Sequence, residues 1–189
     1  MHKSIANTGY NGNIEVPKII SGSLSLTRLR VEDIELVRSW RIDPKISQYM
    51  LFRGHITPEM QIKWFESINN INNYYFLIEF AGQKLGLTEI KRIDYSRKRG
   101  EWGIFIYDDK YINTIVPVKA GYLLLDFAIS NLRLEHITAT VVKNNIRALH
   151  FNSNFLFKEI SSDYDSRLLE MNSVDFTAFV KPRFSRMRG

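Results

Sequence analysis

The residues best placed to do chemistry fall in one stretch, Glu101 to Asp126, EWGIFIYDDKYINTIVPVKAGYLLLD. It reads as a strand, a tight loop and the start of a buried helix. A strand running into a helix N-terminus is a general way to hold a phosphate, because free backbone N–H groups and the positive dipole end converge there. Phosphate loops usually place glycine where the backbone must bend or approach the anion. Here the loop carries Asn113, Ile115 and Pro117, with no glycine between Asn113 and Lys119. Ile is poorly suited to positive φ and crowds an anion. Pro117 removes a donor but suits a first helical position, and Lys119 offers charge in place of amides. An ordinary helix start with no ligand is the alternative reading. The chain has no cysteine, which excludes disulfides, thiolate metal sites and a thiol nucleophile. Its four histidines (His2, His55, His136, His150) show no ligand spacing, so no metal is expected.

The elements that must position such a site fit one domain. The chain has 189 residues, 44% of them hydrophobic, enough for a full core. Twenty-six Lys+Arg against 20 Asp+Glu give a net charge of +6, which favours anionic partners or is simply a solvated basic surface. No apolar run approaches ~18 residues, so no membrane partner is expected. No secretory signal is legible, and a cytoplasmic protein is the default. Residues 1–22, rich in Asn, Gly and Ser, read as a flexible leader, with a short extended piece at Glu15–Ile20. Residues 23–181 read as the domain and 182–189 as a loose basic tail.

Within the domain, Leu24–Leu29 alternates as a strand, and Val31–Trp40 is amphipathic and helical until Asp43-Pro44 stops it. Thr57-Pro58-Glu59 opens a helix to about Ser67, with Thr as N-cap and Pro at the first position. Tyr74–Phe80, Leu85–Asp94 and Glu101–Tyr107 form a meander, and Val118–Leu132 is an apolar buried helix. Glu135–Val142 is a strand, Asn145–Asn154 a helix, and Phe157–Ile160 with Val174–Val180 are read as two closing strands. The expected fold is α+β: a mixed, mostly antiparallel sheet of about seven strands flanked by about four helices.

That order, with these residues, resembles the GNAT superfamily of N-acetyltransferases, in the branch of ribosomal-protein-alanine and nucleotide-linked amino-sugar enzymes. LTRLRVEDIELVRSWRIDPKI is similar to the branch's opening strand and helix, and ITPEMQIKWFESI to its second helix, with Gln61 where the sugar enzymes often carry His. EWGIFI looks like the strand lining the acyl-donor cleft, and AGYLLLDFAISNLRLEHITATVVKNNIRAL like the helix, strand and helix that follow. Tyr49-Met50 point towards the amino-sugar enzymes. The resemblance implies acetyl-CoA as co-substrate, bound where two parallel strands splay apart, and direct attack by a primary amine. The favoured acceptor is a nucleotide-linked amino sugar. A protein N-terminus or another small amine is the alternative, and a degenerate binding protein without catalysis a third reading.

By the same resemblance, Ile104, Phe105 and Ile106 offer backbone groups to the pantetheine, and Asn113, Thr114, Val116, Val118 and Lys119 face the pyrophosphate. Asn145 bonds the pantetheine arm and Arg147 reaches a CoA phosphate. Glu101 is the first candidate base, with Glu89 on the neighbouring strand and His55 in the loop before the second helix as others. Trp40, Tyr49, Met50 and His55 would line the acceptor pocket. Asn152 stands where many members carry a Tyr that protonates the leaving thiolate, and Leu156 where a turn glycine is usual. The basic turn Arg97–Gly100 and the basic tail have no nucleic-acid-binding fold around them, so nucleic acid is not expected as partner. A monomer or homodimer is expected.

Overall fold

Residues 18–185 are described here as a computed structural model. Their strands are β1 (Ile19–Ser21), β2 (Leu24–Arg28), β3 (Tyr74–Phe80), β4 (Gln83–Asp94), β5 (Arg99–Ile106), β6 (His136–Val142), β7 (Lys158–Ser162) and β8 (Ser166–Asn172). They form one sheet in the order β1-β2-β3-β4-β5-β6-β8-β7. Every pair is antiparallel except β5–β6. The α+β reading with a mostly antiparallel sheet therefore holds, with one strand more than expected.

One face of the sheet carries α1 (Ile34–Ile42), α2 (Pro44–Ser47) and α3 (Pro58–Ile68), packed over Leu29, Val37, Trp40, Tyr75, Leu77 and Leu87. As anticipated, Thr57 caps α3, its Oγ1 accepting from the Met60 N–H at 3.2 Å, with Pro58 at the first position. The other face carries the larger core, built on α4 (Asp109–Ile112), α5 (Ile115–Ser130) and α6 (Ile146–Ser153). Gly121 of α5 is there for packing: a Cβ on it would sit 3.0 Å from the Phe155 ring and 3.2 Å from Trp102.

Three sequence expectations are corrected. Val174–Val180 is helical, as part of a run formed by α7 (Ser173–Asp175), a π turn (Phe176–Val180) and α8 (Lys181–Ser185). Phe176, Val180 and Phe184 are buried at a spacing of four, which is helical spacing, and Asn172 caps the run by accepting from the Asp175 N–H at 2.8 Å. The closing strand is Ser166–Asn172 instead. The expected leader ends in an edge strand at Ile19–Ser21, whose neighbour Lys18 pairs with Glu79 at 2.9 Å. The expected loose tail begins in a helix with buried Phe184. The rest of the leader (1–17) and of the tail (186–189) lies outside the described residues. The Arg97–Gly100 turn is neutralised locally, Arg97 by Asp94, Lys98 by Glu135 and Arg99 by Glu170.

Candidate active site

The parallel pair β5–β6 is joined only at Arg99–His136, Gly100–Ile137 and Glu101–Thr138. Beyond that point the strands diverge, and Trp102–Ile106 and Ala139–Val142 line a cavity of about 580 Å³ between them. The ladder's phase decides which backbone groups face it. Tyr107 N–H donates to Leu85 of β4 at 2.7 Å, whereas the Gly100 carbonyl accepts from Thr138 on the β6 side at 3.4 Å. Alternation then turns the N–H and C=O groups of Trp102, Ile104 and Ile106 towards the cleft, and those of Gly103 and Phe105 towards β4. A bulge on β4 confirms the second half: a Cβ on Gly86 would lie 2.1 Å from the Phe105 carbonyl oxygen. Of the three residues expected to offer backbone groups, Ile104 and Ile106 thus turn theirs to the cleft, and Phe105 turns its groups to β4. The cleft edges of two buried strands are left without strand partners, an arrangement that fits an extended amide-bearing ligand such as pantetheine.

The cofactor half is closed by α5 and α6. Asn145 caps α6 with Oδ1 accepting from the Ala148 N–H at 3.0 Å, and it lines the cleft together with Arg147. Asn152 is 5% exposed and fully used: Oδ1 accepts from the Trp102 indole at 2.9 Å and Nδ2 donates to the Ala148 carbonyl at 2.8 Å. It is a fastener between α6 and β5, not a proton donor.

The loop Asn113–Lys119 is different from its sequence reading. The helix starts at Ile115, three residues earlier than expected, because Thr114 is its cap. Asn113 has φ −99° and Thr114 φ −98°, and neither appears among the residues of positive φ. The backbone there asks for no glycine. What it lacks is donors. Thr114 N–H is taken by the Tyr111 carbonyl, Val116 N–H by the Thr114 hydroxyl, and Pro117 has none, which leaves Ile115 as the free amide of that end. Of the five residues expected to face pyrophosphate, Asn113 and Thr114 are exposed, Val118 and Lys119 half-buried, and Val116 buried in the core. Pro117 is the residue of this segment that lines the cleft.

On the opposite face, the cavity opens between β3–β5 and the helices α1–α3. Glu89, Lys91, Glu101 and Arg92 form one ionic chain: Glu89–Lys91 at 3.2 Å, Lys91–Glu101 at 3.4 Å and Glu101–Arg92 at 2.6 Å. Desolvation pulls the Lys91 ammonium down, but Glu89 and then Glu101 outweigh it and hold its pKa above the ordinary lysine range. Burial, and next the Glu89 charge, push the Tyr75 phenol up. Both Glu101 oxygens are engaged by cations, whereas Glu89 keeps Oε2 without a hydrogen bond or ion pair among the described residues. Glu89 also lies across Gly103, where a Cβ would come within 2.5 Å of Oε1.

Tyr49 and Met50 line this half together with Trp64, Tyr75 and the exposed Leu51 and Phe52. Two expectations fail. Trp40 is 4% exposed and stacks on Tyr107 at 5.5 Å, so it is core. His55 is exposed and does not line the cavity. Sequence reasoning missed Arg41, Lys45 and Arg92, all of which line the cavity. The step Arg41, Lys45 around Asp43-Pro44 was the available signal, since it sets both cations beside the end of α1.

The sheet is parted by two diverging parallel strands into a cleft with free backbone edges and a carboxylate, Glu101, at the fork. Residues 23–152 match the sequence profile of the acetyltransferase (GNAT) domain. The chain belongs to this family. It is an acyltransferase that uses acetyl-CoA as acyl donor and acts on amines. Spermidine N(1)-acetyltransferase of Escherichia coli is 25% identical over 129 residues, 68% of this chain and 69% of that protein. Acetyltransferase PseH of Campylobacter jejuni is 24% identical over 143 residues, 75% and 87% of the two chains. Among solved structures, apo FdhC, described as a nucleotide-linked sugar GNAT, superposes with TM-score 0.77 at 19% identity, covering 94% of this chain and 99% of that one. Spermidine N-acetyltransferase of Vibrio cholerae, with CoA and spermine, gives TM-score 0.73 at 19% identity over 82% and 98%. Among the described residues no helix is long and apolar enough to cross a membrane.

Proposed function

We propose that this enzyme acetylates the primary amine of a nucleotide-linked amino sugar. The observation that carries the reading is the charge of the acceptor half. Arg41, Lys45, Lys91 and Arg92 line it against two carboxylates, Glu89 and Glu101. A phosphate-bearing acceptor is attracted by that balance, and a polyamine is repelled. The aromatic faces of Trp64 and Tyr75 suit a sugar or a base. The similarity in fold to a nucleotide-linked sugar GNAT supports the same acceptor class.

Acetyl-CoA supplies the activated thioester. Ile104 and Ile106 backbone groups and the Asn145 amide would hold its pantetheine arm, and Lys119 and Arg147 its phosphates. Glu89 is the residue we assign to accept the ammonium proton. Its Oε2 is free, it is half-buried at the fork of the strands, and Lys91 orients it through Oε1. Glu101 takes the supporting part, locking Lys91 and Arg92. No side-chain acid is needed beside Asn152, since a thiol of pKa about 8.5 leaves readily as the thiolate.

Steady-state acetylation of a UDP-linked amino sugar, spermidine and an alanine-terminated peptide tests the acceptor. The nucleotide-linked amino sugar should have the highest kcat/KM. Preference for spermidine or for the peptide would overturn the reading.

A further inference from the structure

The four-membered chain of Glu89, Lys91, Glu101 and Arg92 is self-neutralising: two carboxylates and two cations, each in contact with its opposite. Arg41 stands outside it. The guanidinium lines the same cavity and has no ion pair within 4.0 Å among the described residues. Its protein contacts hold it in place without neutralising it. Nη1 donates to Gln61 Oε1 at 3.3 Å, and Gln61 is itself 1% exposed and tied to the Ile34 carbonyl at 2.9 Å. The guanidinium carbon lies over the Trp64 ring at 4.9 Å from its centre, and Trp64 is braced edge-on by Tyr75 at 5.2 Å. The cation–π contact occupies the ring side of the guanidinium, and of its five N–H donors only one on Nη1 has a hydrogen-bond partner among the described residues.

A desolvated cation without a counter-charge is costly to a fold. Burial lowers the Arg41 pKa, and the raising fields of Glu89 and Tyr75 do not cancel that effect. A cost of this kind is retained where a ligand removes it. Lys45 also lies over a ring, Tyr107 at 3.8 Å, but it has a counter-charge in Asp109 at 3.5 Å. Lys91 and Arg92 are bound to carboxylates. Arg41 is thus the cation of this half without a counter-charge among the described residues.

We infer that Arg41 is the anion receptor of the acceptor half, a specificity-determining residue that takes a phosphate of the acceptor in planar, two-point contact, with Gln61 as its positioning residue. The inference rests on the proposed acceptor class and goes further by naming the group that selects it. A planar guanidinium backed by an indole offers a paired-donor geometry that an ammonium cannot reproduce.

The test is calorimetric titration of CoA-saturated enzyme with UDP and, separately, with inorganic pyrophosphate, so that the donor site is already filled. Wild type should bind both. Arg41→Gln should lose at least tenfold in affinity for each, and Arg41→Lys should recover only part of it. Gln61→Met should show an intermediate loss, with CoA affinity unchanged in every variant. Equal affinity of Arg41→Gln and wild type for both anions would overturn the inference, as would absence of binding to wild type up to millimolar anion. If binding depends on Arg41 but no nucleotide-linked amino sugar is acetylated, the receptor stands and the proposed acceptor falls.

Discussion

Replacement of Gly103 by alanine separates a catalytic carboxylate from a structural one. Gly103 sits on the cleft strand directly under Glu89, and a Cβ there would stand 2.5 Å from Oε1 and 2.9 Å from the carboxyl carbon. Ordinary contact begins near 3.4 Å. The carboxylate must therefore swing away by about 1 Å, and it can, because it is the far end of a flexible side chain. A misplacement of that size costs roughly 10²-fold in rate, or about 2.7 kcal/mol in the barrier. Folding should barely register the change, since Gly→Ala in a strand recovers about 0.5–1 kcal/mol of chain entropy against the local crowding. CoA binding should also survive, because the Gly103 backbone faces β4, its carbonyl accepting from Thr88 Oγ1 at 2.9 Å.

The assay is kcat/KM for acetyl transfer, with CoA affinity and the unfolding midpoint as controls. Glu89→Gln preserves shape but cannot take the proton, so it should fall as far or further. The double variant should be no slower than Glu89→Gln alone, since both changes act through one carboxylate. If Gly103→Ala retains turnover within about threefold of wild type, or if the two losses add in full, Glu89 is not the base.

Other outcomes follow from the same packing. Leu156 has φ +64°, so Leu156→Gly should be more stable than Leu156→Ala by about 1 kcal/mol in denaturant titration, the reverse of the usual order; the usual order would refute the strain. Asn152→Ala orphans the buried Trp102 indole and should cost about 1–3 kcal/mol by the same measurement; a change under about 0.5 kcal/mol would show that a water or a shift satisfies it. Asp163 is held below the ordinary aspartate value of 3.8 first by the Ser166 N–H, then by the Ser166 hydroxyl and the Asp165 N–H. A depressed carboxylate stabilises above its unfolded pKa and loses that contribution as pH falls through the folded one. The stability gap between wild type and Asp163→Ala should therefore be full at about pH 6 and shrink as pH falls below the ordinary aspartate range; a gap that does not change with pH would exclude the carboxylate as its source.

Much of this architecture was legible because local signals and packing agree. Thr57-Pro58 starts its helix where cap chemistry requires, and the strands of the meander from Tyr74 to Ile106 are parted by turn residues at Ala81-Gly82 and Tyr95–Lys98. The closing elements were misread because SVDFTAFV is rich in β-branched and aromatic residues, while the burial of Phe176, Val180 and Phe184 at helical spacing decides the outcome. Ser166–Asn172 offers only Leu169 and Met171 as buried apolar alternates, a weak period that pairing with β6 makes good. At the site, Glu89 and Glu101 were legible as candidates, but their ranking depends on which oxygens the neighbouring cations occupy. No spacing in the sequence carries that information. Arg41 has no such signal in the sequence: it is a cation without an acid, visible only once Lys45, Lys91 and Arg92, the other cations of the acceptor half, are seen beside theirs.

The glycine-free loop at Asn113–Lys119 is the sharpest case of a correct observation with the wrong physical reason. A left-handed backbone would strain Ile115, yet the chain never enters that region there. Thr114 moves the helix start forward, and its hydroxyl spends itself on the Val116 amide, while accepting no loss of φ freedom. The consequence falls on donor supply: one free amide at Ile115, assisted by the dipole and by the half-buried Lys119, in place of a ring of N–H groups. Glycine at 113 or 115 would restore flexibility without restoring a donor, because the amides are consumed by the cap and by Pro117, not blocked by side chains. Phosphate affinity at this end of the cleft therefore rests on charge, and it should weaken with salt more steeply than an amide cradle would.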